Sequence, residues 1–230
     1  MDPTYTATSQ DVEDWKRARS RVSSWNRRRK WRLFSELMLT TPESTHVLDV
    51  GYQNEEYAPT DNFIEKNFPH LENLTALGIE DHDRFSARYP AVNAVRYDGG
   101  EFPFPDNTFD VVWSNAVVEH VGDRDTQVNF LREIRRVGSR AFVTTPNRHF
   151  PVEVHTRTPL LHYLPKATFD RYLRATGDAW AAGDYMRLLG ASELRSLLGD
   201  AGIKKEEFSL YRNRIGPFTL DFVVVMHELK

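Results

Sequence analysis

Five short apolar runs in this chain each end in residues that can hydrogen-bond a ligand. Asp49 and Gly51 close the first, Glu80 and Asp81 the second, and Asp98 and Gly99 the third. Asn115 and Ala116 close the fourth, and Thr145-Pro146-Asn147 the fifth. A carboxylate after the second strand of such a series can accept both hydroxyls of a ribose. An Asp after the third can accept from the exocyclic amine of adenine. A Gly or Ala beside them lets backbone N–H groups approach a flat base. The chain has no Gly-x-Gly-x-x-Gly and no Walker loop, so nothing in it cradles a pyrophosphate. The pattern suits a nucleoside without phosphates.

A second group of residues carries proton-transfer chemistry. Glu119-His120 follows the fourth run, and an imidazole with an unperturbed pKa of about 6.5 can serve as a general base. A structural role at a helix start fits His120 equally well. The stretch Pro146-Asn-Arg-His-Phe-Pro-Val-Glu-Val-His-Thr156 is dense in polar groups. Glu153, His155 and His162 are its candidates to orient or deprotonate an acceptor. The competing reading is a loop pinned by prolines with solvent-facing histidines.

The elements that must position these groups are legible in the pattern. Residues 11–39 read as helix, with Asp11, Glu13 and Asp14 where the helix dipole favours acids. Ser23-Ser24 is a candidate break within it. Strands are expected over 46–51, 74–80, 94–97, 109–114 and 140–145. A weak helix is expected around 62–67 and an amphipathic one over 126–137, stopped by Gly138. Two more helices are expected over 167–175 and 192–199. Two final strands, 207–212 and 220–227, flank Gly216-Pro217 and read as an antiparallel hairpin. Strands alternating with helices imply right-handed crossovers and a parallel sheet. The expected fold is α/β, a Rossmann-like three-layer α/β/α arrangement of seven strands, mostly parallel, with the last strand antiparallel.

The 230 residues are 40% hydrophobic and 27% charged, with a net charge of −3, in the range of an ordinary soluble globular chain. No run approaches the roughly 18–20 apolar residues that span a bilayer. The acidic, polar N-terminus does not read as a signal peptide. Zero cysteines exclude disulfides, thiolate nucleophiles and Cys-ligated zinc, and they fit a cytoplasmic setting. The charge is uneven: residues 1–44 carry +3, residues 45–150 carry −7, and residues 151–230 carry +1. The acidic middle weighs against a duplex footprint there.

The chain resembles class I S-adenosylmethionine-dependent methyltransferases. The resemblance rests on Val47-Leu-Asp-Val-Gly51, on Leu77-Gly-Ile-Glu80, and above all on Tyr97-Asp-Gly-Gly-Glu-Phe-Pro-Phe-Pro-Asp-Asn-Thr-Phe-Asp-Val-Val-Trp-Ser-Asn-Ala-Val-Val-Glu-His-Val121. Glu133-Ile-Arg-Arg-Val137 adds to it, and residues 28–150 are covered well. The third stretch is close to the small-molecule branch of that family. The resemblance implies that Asp49 and Gly51 line the methionine moiety of S-adenosylmethionine. It implies that Glu80 binds the ribose diol with Asp81 beside it, and that Asp98 meets the adenine amine with Gly99 as a backbone contact. Asn115 and Ala116 would close over the cofactor, and one Arg of the 27–29 run would meet its carboxylate. Ubiquinone-pathway relatives have a Glu-x-x-Glu-His metal site after the fourth strand. Its first position here is Ala116, so no metal site is expected.

One departure stands out. The family's first loop runs Asp-x-Gly-x-Gly-x-Gly, whereas this chain reads Asp49-Val-Gly-Tyr-Gln-Asn-Glu-Glu56 and keeps only Gly51. The resemblance implies an N-terminal helical lid over 1–44 and a methyltransferase domain over 45–230, with a loop-rich acceptor segment at about 146–190. It implies direct methyl transfer to a small-molecule acceptor, on oxygen or carbon, with S-adenosylhomocysteine as product. Two other readings stand beside it. Nine Lys or Arg between Lys16 and Arg32, with Trp25 and Trp31 among them, would serve an RNA methyltransferase. The glycine-poor loop would suit a non-catalytic cofactor-binding protein on the same fold. The oligomeric state is not readable from sequence.

Overall fold

The computed structural model describes residues 9–153, 156, 158–183 and 186–228; the side chains of 9–21 and of Trp180 lie outside that description. His155 therefore lies outside the described residues.

The chain opens with helix α1 (Ser9–Met38), followed by β1 (Val47–Val50), β2 (Leu74–Gly78), α2 (Asp83–Arg88) and β3 (Asn93–Arg96). Then come β4 (Phe109–Asn115), α3 (Arg124–Val137), β5 (Gly138–Pro146), α4 (Lys166–Thr176), α5 (Ala191–Asp200), β6 (Phe208–Ile215) and β7 (Phe218–Met226). The seven strands form one sheet in the order β3-β2-β1-β4-β5-β7-β6. The β1–β2, β1–β4, β2–β3 and β4–β5 pairs are parallel, and β7 runs antiparallel to both β5 and β6. The strand order reverses between β1 and β4, the switch point outside which open α/β sheets place their ligands.

Strand alternation splits the core into two layers. Leu48, Val112 and Val143 pack against Leu131 and Ile134 of α3 and Leu194, Leu197 and Leu198 of α5. Val47, Val111, Trp113 and Phe142 face the other way, against Phe34 and Met38 of α1. Phe34 meets Trp113 edge-on at 4.8 Å between centroids, and Trp113 stacks on Phe142 at 5.2 Å. Such aromatic pairs contribute roughly 0.5–1.5 kcal/mol each beyond their buried area. The second half of α1 is thus a core layer of the sheet.

Two expectations change. Ser23-Ser24 does not break α1, which runs as one helix. Residues 62–67 form turns rather than a helix. There Asp61 Oδ2 accepts from the N–H groups of Tyr57 and Ala58, while Asn62 exchanges hydrogen bonds with the Gln53 backbone. Asp and Asn side chains that bind nearby backbone in this way displace helical bonding. The remaining expected elements form, with ends shifted by a few residues.

Candidate active site

All the sequence-predicted groups of β1 to β4 gather at the carboxyl edge of the sheet. Asp49 sits on β1 opposite Trp113 of β4 and is buried. Gly51 follows at φ +108°, and a Cβ there would overlap Val117 Cγ2, so the turn after β1 needs glycine. Asn115 ends β4, and Ala116 follows in a left-handed conformation at φ +59°, its N–H donating to the Thr144 carbonyl.

Glu80 and Asp98 stand just past β2 and β3. Glu80 Oε2 accepts from the Asn54 N–H at 3.4 Å. Asp98 Oδ1 accepts from the Gly100 N–H at 3.0 Å, which orients its carboxylate beside Gly99 at φ +91°. Asp81 is turned outward and pairs with Arg96 at 2.5 Å.

The glycine-poor first loop follows a path of its own. Tyr52 is buried, and its hydroxyl donates to the Glu80 carbonyl at 2.8 Å. Asn54 Oδ1 accepts from the N–H groups of Arg84 and Phe85 and so caps α2 from another loop. Side-chain bonds therefore fix a turn that glycines fix elsewhere in the family.

Two members of the basic run of α1, Lys30 and Arg27, are turned inward, while Arg28, Arg29 and Arg32 are exposed. Lys30 is only 5% exposed and lies 3.4 Å from Asp221 of β7. Asp221 Oδ2 also accepts from Asn26 at 2.7 Å and from Asn213. Arg29 donates to the Arg214 carbonyl. Arg27 lines a cavity of about 30 Å³ with Asp49, Gly51, Asn62, Phe63 and Asn115. Burial pulls the Arg27 guanidinium below its ordinary pKa, and Asp221, Asp61 and Asp49 oppose that shift.

Two features near this pocket carried no signal in the sequence. The first is Glu65, 3% exposed, whose two oxygens meet no donor from the other described side chains. Burial first, and then the charge of Asp49, hold it well above the carboxylate range. With Glu65 protonated, its O–H is a donor available to Asp49. Burial likewise pushes Asp49 up to about 6, against the hydrogen bond from Glu65 and the charge of Arg27. The second is the orientation of Asn115. Thr144 Oγ1 donates to Asn115 Oδ1 at 3.0 Å, leaving the buried Asn115 Nδ2 without a partner. The donors and acceptors of this edge fit an adenosyl group with a charged amino-acid tail. The 30 Å³ cavity beside Arg27 has room for about one water molecule.

The proton-transfer candidates separate. His120 is half-buried in the single turn Val118–His120 after β4. Glu153, 1% exposed, accepts from the N–H and hydroxyl of Thr156 and holds its own loop together. His162 lines a cavity of about 570 Å³, with His149, Tyr163, Phe169 and Met186. Its Nε2 donates to the Arg148 carbonyl at 3.0 Å. That cavity lies between α3, α4 and α5 under the 147–190 segment. It adjoins the turn after β4, where Gln127 Nε2 donates to the Val118 carbonyl and the Arg187 N–H to that of Glu119.

Residues 64–140 match the family described as Methyltransferase domain. A Mycobacterium tuberculosis protein named as a probable S-adenosylmethionine-dependent methyltransferase is 33% identical over 119 residues, covering 50% of this chain and 34% of the relative. An uncharacterized methyltransferase of Mycobacterium sp. strain KMS is 32% identical over 143 residues, covering 60% of this chain and 53% of the relative. The chain thus spans about a third to a half of the length of these curated relatives. Among solved structures, a Mesorhizobium loti S-adenosylmethionine-dependent methyltransferase superposes with TM-score 0.53 at 14% identity, covering 83% of this chain and 94% of the other. The complex of the Haloferax volcanii Trm112 methyltransferase activator with a methyltransferase gives TM-score 0.55 at 14% identity, covering 97% and 98%. CalH, a methyltransferase in complex with S-adenosylhomocysteine, gives TM-score 0.53 at 15% identity, covering 86% and 55%. Residues 64–140 thus carry the similarity to the Methyltransferase domain family, and the seven-stranded fold with its antiparallel β7 is the one these structural neighbours share.

Proposed function

We propose that this protein transfers the methyl group of S-adenosylmethionine to a small-molecule acceptor held under the 147–190 segment. The observation that carries this reading is the cavity of about 570 Å³ that the segment encloses against α3 and α5. Small-molecule sites have volumes of roughly 300–1,000 Å³, and this cavity sets Phe169, Met186, Leu188 and Leu189 beside polar groups such as Gln127 and His162.

The cofactor, when bound, supplies a methyl already activated on a sulfonium and leaves as S-adenosylhomocysteine. The chain's own residues bind, orient and exclude water. Glu80 accepts the ribose hydroxyls, and Asp98 uses the carboxylate oxygen not taken by Gly100 for the adenine amine. Gly51 and Gly99 provide close backbone approach. Arg27 is the member of the 27–29 run placed to meet the cofactor's carboxylate, with Asp49 and Asn115 Nδ2 beside it. The first half of α1, beyond Asn26, acts as the lid. With an activated methyl, alignment supplies most of the catalysis. A base is needed only for a hydroxyl or enolisable acceptor, and His120 is the nearest candidate to the end of β4.

The RNA-methylating alternative weakens on one observation. Lys30 is buried against Asp221 and Arg27 lines the small cavity beside Asp49, so these two of the basic run are not displayed for phosphates. The test is transfer of labelled methyl from S-adenosylmethionine to pools of small metabolites and to total RNA. Label in the small-molecule pool supports the reading. Label in RNA alone overturns it.

A further inference from the structure

We propose that Glu65 is a positioning residue for the amino-acid tail of the cofactor. It keeps its proton, donates it in a hydrogen bond to Asp49, and so holds the Asp49 carboxylate charged for the cofactor's ammonium. The identity of the ligand rests on the reading above; the second acid behind Asp49 goes beyond it.

Burial is the first argument. Asp49 on β1 is 5% exposed, and Glu65, in the turns after the first loop, is 3% exposed. The two side chains are hydrogen-bonded to each other. Neither Glu65 oxygen meets a donor from another described side chain. An ionised carboxylate only accepts, so a bond between two carboxyl groups requires that one of them keep its proton. Two ionised carboxylates side by side and out of water would also repel each other. The pair therefore shares a proton.

The surroundings place that proton on Glu65. Arg27 of α1 lines the same small cavity as Asp49, with Asn62 and Asn115, and its charge favours ionised Asp49. Asp61 and Asp221 also act on that guanidinium. Glu65 instead has the charges of Asp49 and Glu56 beside it, and both oppose its ionisation. Glu56 is held charged by Lys66 at 2.7 Å and by the Tyr89 hydroxyl, which donates to it at 2.6 Å, with Arg88 at 3.7 Å. Glu65 thus stays protonated well above the carboxylate range, while Asp49, pushed up to about 6, is charged at neutral pH.

This division suits a zwitterionic tail. Arg27 takes the carboxylate in the reading above, which leaves the ammonium to Asp49. The cavity beside Asp49 has room for about one water molecule, and an ammonium group is of that size. Asp49 lines that cavity and Glu65 does not, so Glu65 acts through Asp49 and does not touch the ligand. Below about pH 6 Asp49 takes up a proton, and an ammonium then meets a neutral acid. Binding in that range sends the Asp49 proton to solvent, while Glu65 keeps its own. Without the Glu65 O–H, burial would carry Asp49 higher still and leave it neutral near pH 7.

The experiment is calorimetric titration of the full chain with S-adenosylhomocysteine between pH 5 and pH 8, where the tail of that probe keeps both its charges. The parent should bind about tenfold more weakly at pH 5 than at pH 8. Glu65→Gln, which keeps a donor for Asp49, should follow the parent's profile. Glu65→Leu should move the midpoint upward by about one pH unit or more. Histidines titrate in the same range but are common to all three chains, so the differences between profiles carry the test. A Glu65→Gln profile displaced as far as that of Glu65→Leu, a Glu65→Leu profile unmoved or weakened equally at every pH, or a parent without pH dependence would overturn the proposal. If Glu65→Leu does not fold, the other two decide: coincident falling profiles support the proposal, and a Glu65→Gln profile displaced by more than about half a pH unit overturns it. A parent that binds no S-adenosylhomocysteine at any pH removes the cofactor reading itself, and the role of Glu65 with it.

Discussion

The ring of Tyr52 lies directly across Gly78. A Cβ on Gly78 would come within 2.7 Å of the Tyr52 ring, while the Tyr52 hydroxyl donates to the Glu80 carbonyl two residues on. The aromatic residue that replaces flexibility in the first loop thus also sets the backbone that presents Glu80. Gly78→Ala is expected to destabilise by about 1–3 kcal/mol through overpacking. Tyr52→Phe, which keeps the ring and loses one hydrogen bond, should cost about 1 kcal/mol. Urea denaturation of both variants measures the order. A Gly78→Ala protein as stable as the parent would show that the ring does not need this glycine.

Glu80→Ala and Asp98→Ala should each weaken S-adenosylhomocysteine binding by more than about tenfold, or about 1.4 kcal/mol. Calorimetry reads this directly. Asp81→Ala should change binding far less, since Asp81 is already paired with Arg96. Unchanged affinity in both the Glu80 and Asp98 variants would sink the assignment of the cofactor edge.

The Asp49–Glu65 pair makes stability fall as pH rises. Asp49 is pushed up to about 6 in the fold, against about 3.9 for an unfolded Asp. Between those values the folded chain holds more protons than the unfolded one, so stability declines through that window. The penalty is absent below about pH 4 and complete well above pH 6, at of order 3 kcal/mol. Glu65→Gln removes one of the two acids and keeps a donor for Asp49. Its stability should therefore depend less on pH between 4.5 and 6.5. Urea midpoints at several pH values test this, and a slope equal to that of the parent would exonerate the pair.

Lys30 and Asp221 should respond unequally. Asp221→Ala leaves the buried Lys30 ammonium with Thr144 Oγ1 at 3.5 Å, and breaking a buried pair in this way costs about 3–5 kcal/mol. Lys30→Met leaves Asp221 still accepting from Asn26 and Asn213, so it should cost less. The double replacement Lys30→Met with Asp221→Leu should recover part of the loss. Equal costs for the two single variants would mean that the asparagines do not share the load.

Much of the candidate site's placement was legible because its residues sit where strands stop. A run such as Phe109 to Ser114 declares itself by hydrophobicity, and the next residues then lie at the sheet edge whatever the neighbours are. Glu80, Asp98 and Asn115 were found that way. Lys30 and Glu65 were not, and Arg27 was legible only as one of the 27–29 run. They carry charge, and charge in a sequence reads as surface. Only the packing of α1 onto Trp113 and Phe142 carries Lys30 inside, where Asp221 from a strand 191 residues later neutralises it.

The sequence by itself determined the elements, the parallel character of the sheet and the acids at its carboxyl edge. Those follow from hydrophobic periodicity and from backbone rules that act within a few residues. The tertiary structure alone decided the strand order, the path of the Tyr52 loop, which of three adjacent arginines faces Asp49, and how the 147–190 segment folds back to leave a cavity. Each of these depends on contacts between residues far apart in the chain, whose free energy becomes available only when the whole sheet is formed.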